Sequence, residues 1–207
     1  RPFNDCDLPQ VLERLIRNRQ LMDSLVAFRF STWPRFCYPL LRAVTRLYLS
    51  KRRSSIKSLR DFQVLVEPYM ERMIEQTTDS FSVSGLEALD LSQPCIFVSN
   101  HRDIALDPAF VNWSLHLSGQ DTVRIAVGDN LLKQDWVADL IRLNKCFIVH
   151  RSAKDRRQKL ADAKLLSEYI FHTLKNDAQH IWIAQREGRA KDGVDATNPA
   201  IISMLSL

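Results

Sequence analysis

Four short apolar runs, each closed by a polar cluster and separated from the next by a stretch with helical spacing, constrain this chain more than any other feature. The runs are residues 95–98, 122–127, 146–149 and 181–184. Between them, residues 109–117, 131–141 and 160–174 repeat apolar side chains at three and four positions, the period of an amphipathic helix. Runs this short and uninterrupted suit strands buried on both faces, and strands alternating with helices build a largely parallel sheet flanked by helices. The expected fold class is therefore α/β.

The polar clusters acquire meaning from that scheme. Asn100-His101 follows the first run, Gly128-Asp129-Asn130 the second, His150-Arg151 the third and Gln185-Arg186-Glu187-Gly188-Arg189 the fourth. If the strands are parallel, all four clusters converge on the edge where such sheets bind ligands. His101, with Arg102, Asp103 and Asp107 nearby in sequence, is a candidate general base, because a carboxylate on one ring nitrogen would fix the tautomer while the other accepts a proton. Either Asp103 or Asp107 could supply that carboxylate. Asp107 before Pro108 also has a plainer use as the cap of a helix, with His101 a hydrogen-bonded loop residue.

Arginines at such an edge suit bidentate contact with phosphate, and Gly188 permits a turn tight enough for backbone N–H groups to approach an anion. A base beside a phosphate-binding patch points to activation of a hydroxyl on a phosphorylated acceptor, or of water. The G-x-S-x-G elbow of a serine nucleophile is absent from the sequence, which argues against a covalent intermediate. The remaining conspicuous residues carry no such pattern. His116, His172 and His180 read as structural or solvated, and Trp113, Trp136 and Trp182 as core or helix-on-sheet contacts. Lys154, Arg156, Arg157 and Lys159 read as a solvated helix face that could meet an acidic carrier protein or a headgroup plane.

The cysteines, Cys6, Cys37, Cys95 and Cys146, are far apart and form no C-x-x-C pair, so the sequence offers neither a disulfide framework nor a zinc site and fits a reducing compartment. No apolar run approaches the roughly 20 residues that span a bilayer, and no signal-peptide pattern is present. The chain does not open with Met, and residues 201–207 break off in an apolar run, so an excerpt of a longer protein is expected.

Charge divides the chain. Residues 1–60 hold 13 Lys or Arg against 4 Asp or Glu, whereas the rest hold 16 against 20. In the basic third, Val11, Leu12, Leu15, Ile16, Leu21, Leu25 and Phe28 read as one amphipathic helix opened near Leu8-Pro9. After Thr32-Trp33-Pro34, a second segment interleaves Phe36, Tyr38, Leu40, Leu41, Val44, Leu47 and Tyr48 with Arg35, Arg42 and Arg46, and ends in Lys51-Arg52-Arg53. With arginines on one side and apolar residues on the other, this segment suits a helix in a bilayer interface. Each of Lys51, Arg52, Arg53 and Lys57 would add about 1 kcal/mol near an anionic surface. The alternative is a helix packed on the domain with its arginines in water. No nucleic-acid recognition module is visible. A third helix is expected over residues 58–75, a strand over residues 80–85, and a division into a helical region 1–80 and an α/β domain 81–207 that is truncated at its C-terminal end.

Over residues 95–193 the chain resembles the glycerolipid acyltransferases, the family of lysophosphatidic-acid and glycerol-3-phosphate acyltransferases. The family's first block is Asn-His, four residues, then Asp; Asn100-His101 and Asp107 match it with five residues between. Its second block, an apolar strand ending in Arg, is similar to Phe147-Ile148-Val149-His150-Arg151. Its third centres on Glu-Gly before basic residues, and Glu187-Gly188-Arg189-Ala190-Lys191-Asp192-Gly193 looks like that block with one residue deleted. Gln185 and Arg186 stand where the family has an aromatic residue and proline, and the fourth block is expected beyond Leu207.

The resemblance implies direct transfer of an acyl group from a coenzyme A or acyl-carrier-protein thioester to a hydroxyl of glycerol 3-phosphate or its lyso-lipid, with His101 as base. It implies that Arg151, Glu187, Gly188 and Arg189, with Lys191 as an alternative to Arg189, hold the acceptor's phosphate end, Glu187 by orienting the arginines rather than by touching the anion. It requires no metal or bound cofactor, and places the protein peripherally on the cytoplasmic face of an anionic membrane. An acyl-thioester hydrolase and a non-catalytic lipid-binding module are the rival readings.

Overall fold

The computed structural model describes residues 1–150, 153, 155–186, 188–192, 194 and 196–206. Two compact units divide them, one formed by Pro2–Ser80 with Leu132–Asn144 and the other by Phe81–Leu131 with Lys145–Leu207. The segment Leu132–Asn144, between the second and third strands, belongs to the helical unit.

In the helical unit, α1 (Leu8–Arg17), α2 (Arg19–Arg29), α3 (Tyr38–Arg53), α4 (Leu59–Thr77) and a helix at Asp135–Leu143 occur. The single helix expected over residues 11–28 is two. Asn18 takes an extended conformation, and its side-chain oxygen accepts from the N–H of Leu21 at 2.9 Å. The apolar spacing continues across that break, so periodicity alone conceals it, while the cap residue ends one helix and opens the next. Leu8, Val11, Leu12, Leu15, Leu21 and Met22 form the core with Leu59 and Leu143, each burial worth about 1.5–3 kcal/mol relative to exposure.

Of the two dispositions open to α3, the one with its arginines in water and its apolar side packed on the domain does not occur. Arg42 turns inward to Asp23 at 2.6 Å, and the Arg46 Nε–H donates to the carbonyl of Ile16 at 3.2 Å. Phe36, Leu40, Val44 and Leu47, spaced four, four and three apart, are exposed instead. Only Leu41 of this helix is buried.

In the α/β unit, β1 (Ile96–Ser99), β2 (Arg124–Gly128), β3 (Cys146–Val149) and β4 (Ile181–Ala184) form a four-stranded sheet in the order β1-β4-β2-β3. All three pairings are parallel, with Ile96 opposite Ile181, Ile125 opposite Trp182, and Ala126 opposite Phe147. Central β4 is buried along its whole length, as its unbroken Ile-Trp-Ile-Ala requires. Between the strands run α5 (Leu106–Leu117), α6 (the helix at Asp135–Leu143) and α7 (Arg156–Lys175), and α8 (Pro199–Leu205) follows β4. The core on the α7 and α8 face holds Phe147, Ile170, Ile181, Ile183 and Met204.

Three expectations are corrected here. Residues 80–85 form no strand: Phe81 turns onto Phe110, with ring centroids 5.4 Å apart, Val83 is exposed, and Gly85 turns the chain at φ 84°. An apolar-polar alternation is not a strand without a neighbour to pair with. The second strand starts at Arg124 because the Val123 N–H is taken by the Asn112 side chain at 2.8 Å. Helix α8 was not expected, although Asn198, whose side chain accepts from the Ala200 N–H, and Pro199 are a helix-start pair visible in the sequence.

Candidate active site

The site is built by the loops that leave the four parallel strands. After β1 the chain curls at residues 101–107 because the Asp107 carboxylate gathers three donors. Its Oδ2 lies 3.1 Å from His101 Nδ1 and accepts the backbone N–H groups of Arg102 at 2.7 Å and Asp103 at 3.0 Å. Both side chains of the His101–Asp107 pair are largely buried, at 15% and 16% exposure. An acidic group in the first turn of α5 also meets the positive end of that helix.

Asp103 has a different task. Its Oδ1 accepts the N–H groups of Leu106 and Ala105, both at 2.9 Å, so it fastens the start of α5 and does not reach the imidazole as the bonded partner. Those two bonds, Leu106 first, hold its carboxyl below the ordinary carboxylate range, with smaller help from the nearby Arg189 guanidinium. Arg189 is thus close enough to His101's loop to be felt there.

The loops after β1 and β4 are stitched together. The Gln185 N–H donates to the carbonyl of Ser99 at 2.9 Å, its side-chain amide donates to Asn100 Oδ1 at 2.8 Å, and the Ala190 N–H donates to the carbonyl of His101 at 2.8 Å. Gln185 Oε1 accepts from Thr197, so this side chain ties its own loop to those at residues 100 and 197; its place in the polar cluster after β4 was the available sequence signal. Gly188 turns at φ 76°, a conformation that disfavours a side chain. Trp182, expected as a core contact, is buried but also sets its ring edge-on to His101 at 6.4 Å between centroids. Its indole N–H donates to Ser99 Oγ, whose own hydroxyl donates to the Asn100 carbonyl.

His101, Asn130, His150, Arg186, Gly188 and Arg189 line one cavity of about 500 Å³. Each of the four strands therefore sends at least one polar residue from its carboxyl end into the same space. His150 Nδ1 lies 4.0 Å from Asp129 Oδ2, too far for a hydrogen bond. Lys191 is exposed and not part of the wall. Arg151 and Glu187 lie outside the described residues. Among the described residues no cluster of three or more His, Cys, Asp or Glu side chains could hold a metal ion.

A family model described as Acyltransferase matches residues 80–198. The chain belongs to that family, the glycerolipid acyltransferases. No curated protein matches it. In this acyltransferase the matched span opens at residue 80, ahead of β1, and closes at the cap of α8, so it encloses every loop that lines the cavity. No described helix of the acyltransferase is long and apolar enough to cross a membrane.

Proposed function

We propose that this acyltransferase moves a fatty acyl group from a coenzyme A or acyl-carrier-protein thioester to a hydroxyl of glycerol 3-phosphate or lysophosphatidic acid, with His101 as general base. The observation that carries the reading is that His101, with Asp107 on its Nδ1, lines the same cavity as Arg186 and Arg189. Asp107 orients the ring and stabilises its charged form, which assigns proton acceptance to Nε2. As Nε2 takes the acceptor's proton, the oxygen attacks the thioester carbonyl carbon. The carbon–sulfur bond then breaks, and the leaving thiolate takes the proton back from the imidazolium. Asp103 positions the start of α5 and does not touch the reacting atoms.

Arg189 and Gly188, with Arg151 carried over from the family's motif, hold the acceptor's phosphate, and Glu187, carried over likewise, orients the arginines; Lys191 on the same loop is the alternative to Arg189. Direct transfer is favoured over an acyl-enzyme because the Ser99 hydroxyl, the one next to His101's loop, is engaged with Asn100 and Trp182. The reaction needs no metal or bound cofactor. The protein works peripherally on an anionic membrane on its cytoplasmic side, a setting supported by the exposed apolar face of α3 and the cations at its end.

The experiment is acyl transfer from palmitoyl-coenzyme A to each acceptor, in the wild type and in His101→Ala. General-base assistance is worth about 100- to 10,000-fold, so the variant should lose that factor while keeping its circular dichroism spectrum. Full transfer by a folded His101→Ala protein rejects the mechanism. Release of free fatty acid at the same rate with and without acceptor would assign the protein to the hydrolases instead.

A further inference from the structure

One departure from the family's pattern falls inside the cavity. Arg186 stands where the family has proline, a residue without charge or donor, and its side chain lines the cavity together with Arg189. The backbone that carries both is fastened to the strand end and loop that carry His101. Gln185, just before Arg186, is bonded through its N–H to Ser99 and through its side chain to Asn100 and Thr197, and its carbonyl accepts the Asn198 N–H at 2.8 Å. Ala190, just after Arg189, is buried and donates to the His101 carbonyl. Arg186 is also held by its own head group, for its Nη1–H donates to the Val194 carbonyl at 3.3 Å. Two cations thus reach the site from an anchored stretch of chain.

The charge of the wall decides what they can select. Among the described residues that line the cavity, Lys159, Arg186 and Arg189 are cationic and Asp162 alone carries a carboxylate. Its Oδ1 accepts from the Gln158 side-chain amide at 2.8 Å, and Lys159 lies one turn before it on α7, so these two opposite charges offset each other. Asp103 and Asp107 do not line the cavity, and their carboxylates are bonded to backbone N–H groups and, for Asp107, to His101. What remains is the pair of guanidinium groups on the loop after β4. A phosphate monoester, with a second pKa of about 6, carries about −1.5 to −2 at neutral pH on its terminal oxygens, whereas a phosphodiester keeps a single charge.

We propose that Arg186 makes this enzyme select an acceptor whose phosphate is a terminal monoester, the dianion, over one whose phosphate is a diester. The proposal rests on the acyl-transfer reading and names within it the residue that chooses among phosphorylated acceptors. Arg189 meets the first charge, as the family's motif implies, and Arg186 the second, through a planar fork that fits two phosphate oxygens at once. In a diester one of those oxygens carries the second ester substituent. Arg186 then meets an uncharged ester oxygen, a weaker acceptor. Hydrogen bonds between charged groups are the stronger kind, so the two acceptors should differ in affinity by about 10- to 100-fold.

The test reads the selection without chemistry. Calorimetry at about pH 7.5, where the monoester is a dianion, compares glycerol 3-phosphate with glycerophosphoglycerol, a diester of the same glycerol phosphate, on the wild type, Arg186→Gln and Arg186→Lys. The wild type should bind the monoester about 10- to 100-fold tighter. Arg186→Gln should lose most of that preference by weakening the monoester, and Arg186→Lys, a point charge without the fork, should keep part of it. A residue that merely supported the chain at Val194 would lower both affinities together. Equal losses for the two ligands therefore overturn the proposal, as does a wild type without preference. An undiminished preference in Arg186→Lys overturns it too, which keeps the test decisive if Arg186→Gln fails to fold. Acyl transfer is measured on the same proteins: a preference that depends on Arg186 in a protein that transfers no acyl group would refute the catalytic reading and leave the selection standing, and transfer to glycerol 3-phosphate with no preference would do the reverse.

Discussion

At the scale of single residues, the sequence names the imidazole but not its partner. His101 follows an apolar run and precedes two aspartates, and spacing cannot choose between them. The choice lies in the backbone: the N–H groups of Arg102 and Asp103 point at Asp107, which closes the loop and carries the carboxylate to Nδ1. His180 was legible as structural, and its bonding says how. Its Nδ1 accepts the Cys95 N–H at 3.1 Å, so the ring must be neutral there. Burial pushes its pKa below the ordinary 6.5; the Asp121 charge and a bond to the Leu91 carbonyl oppose this weakly, and Lys145 adds to it. A histidine depressed in the folded state leaves stability intact above its unfolded pKa, and that stability is lost as pH falls toward the folded value. The urea midpoint of the wild type should therefore drop more between about pH 7.5 and about pH 5 than that of His180→Gln. Equal drops would show that this ring does not set the acid sensitivity. The Cys146 thiol, pushed up to about 12 by burial, stays protonated throughout this range.

At the scale of elements, the four strands were readable because a buried parallel strand is an unbroken apolar word, and their loops carried the site with them. Boundaries set by side-chain bonds were not. The Asn18 cap is a local bond that breaks a helix without breaking its apolar period, and the Asn112 bond to Val123 and the unpaired run at residues 80–85 depend on neighbours that periodicity does not encode. Helix α6 shows the same limit, for its spacing marks an amphipathic helix without saying which core it joins. It joins α1, where Arg14 donates through Nε and Nη2 to both oxygens of Asp139 at 2.7 and 2.8 Å. Asp139 is 7% exposed and Arg14 53%, so losing the cation strands a buried carboxylate although water reaches the other partner. Arg14→Met should destabilise the helical unit by about 1–3 kcal/mol, below the range for fully buried pairs. Adding Asp139→Leu should recover most of it, since two apolar groups leave no unpaired charge. Chemical denaturation of the three proteins decides this. A double variant no more stable than Arg14→Met would mean that the pair is not what Asp139 needs.

For the whole molecule, the excess of cations in residues 1–60 was plain from the sequence, and so was the apolar content of α3, but not how the two are disposed. Amphipathic spacing tells that a helix has two faces and leaves open which one is covered. Within the helical unit the arginines at 42 and 46 are consumed by Asp23 and the Ile16 carbonyl, and the outward face is Phe36, Leu40, Val44 and Leu47, at 83%, 69%, 54% and 59% exposure. Lys51, Arg52 and Arg53 close the same helix. An apolar stripe ending in cations is matched to a surface that is oily below and negatively charged above, which is the basis of the proposed lipid contact. At low ionic strength the protein should sediment with vesicles containing phosphatidylglycerol and much less with pure phosphatidylcholine, because each cation near the charged surface adds about 1 kcal/mol. Raising salt from about 0.05 M to about 0.5 M should release it, as the screening length contracts to a few ångströms. Leu40→Glu with Leu47→Glu should abolish sedimentation without changing the thermal midpoint, since neither side chain contributes to the core. Sedimentation that survives both substitutions would place the contact elsewhere on the chain, and none at low salt with anionic vesicles would remove the membrane from the proposal altogether.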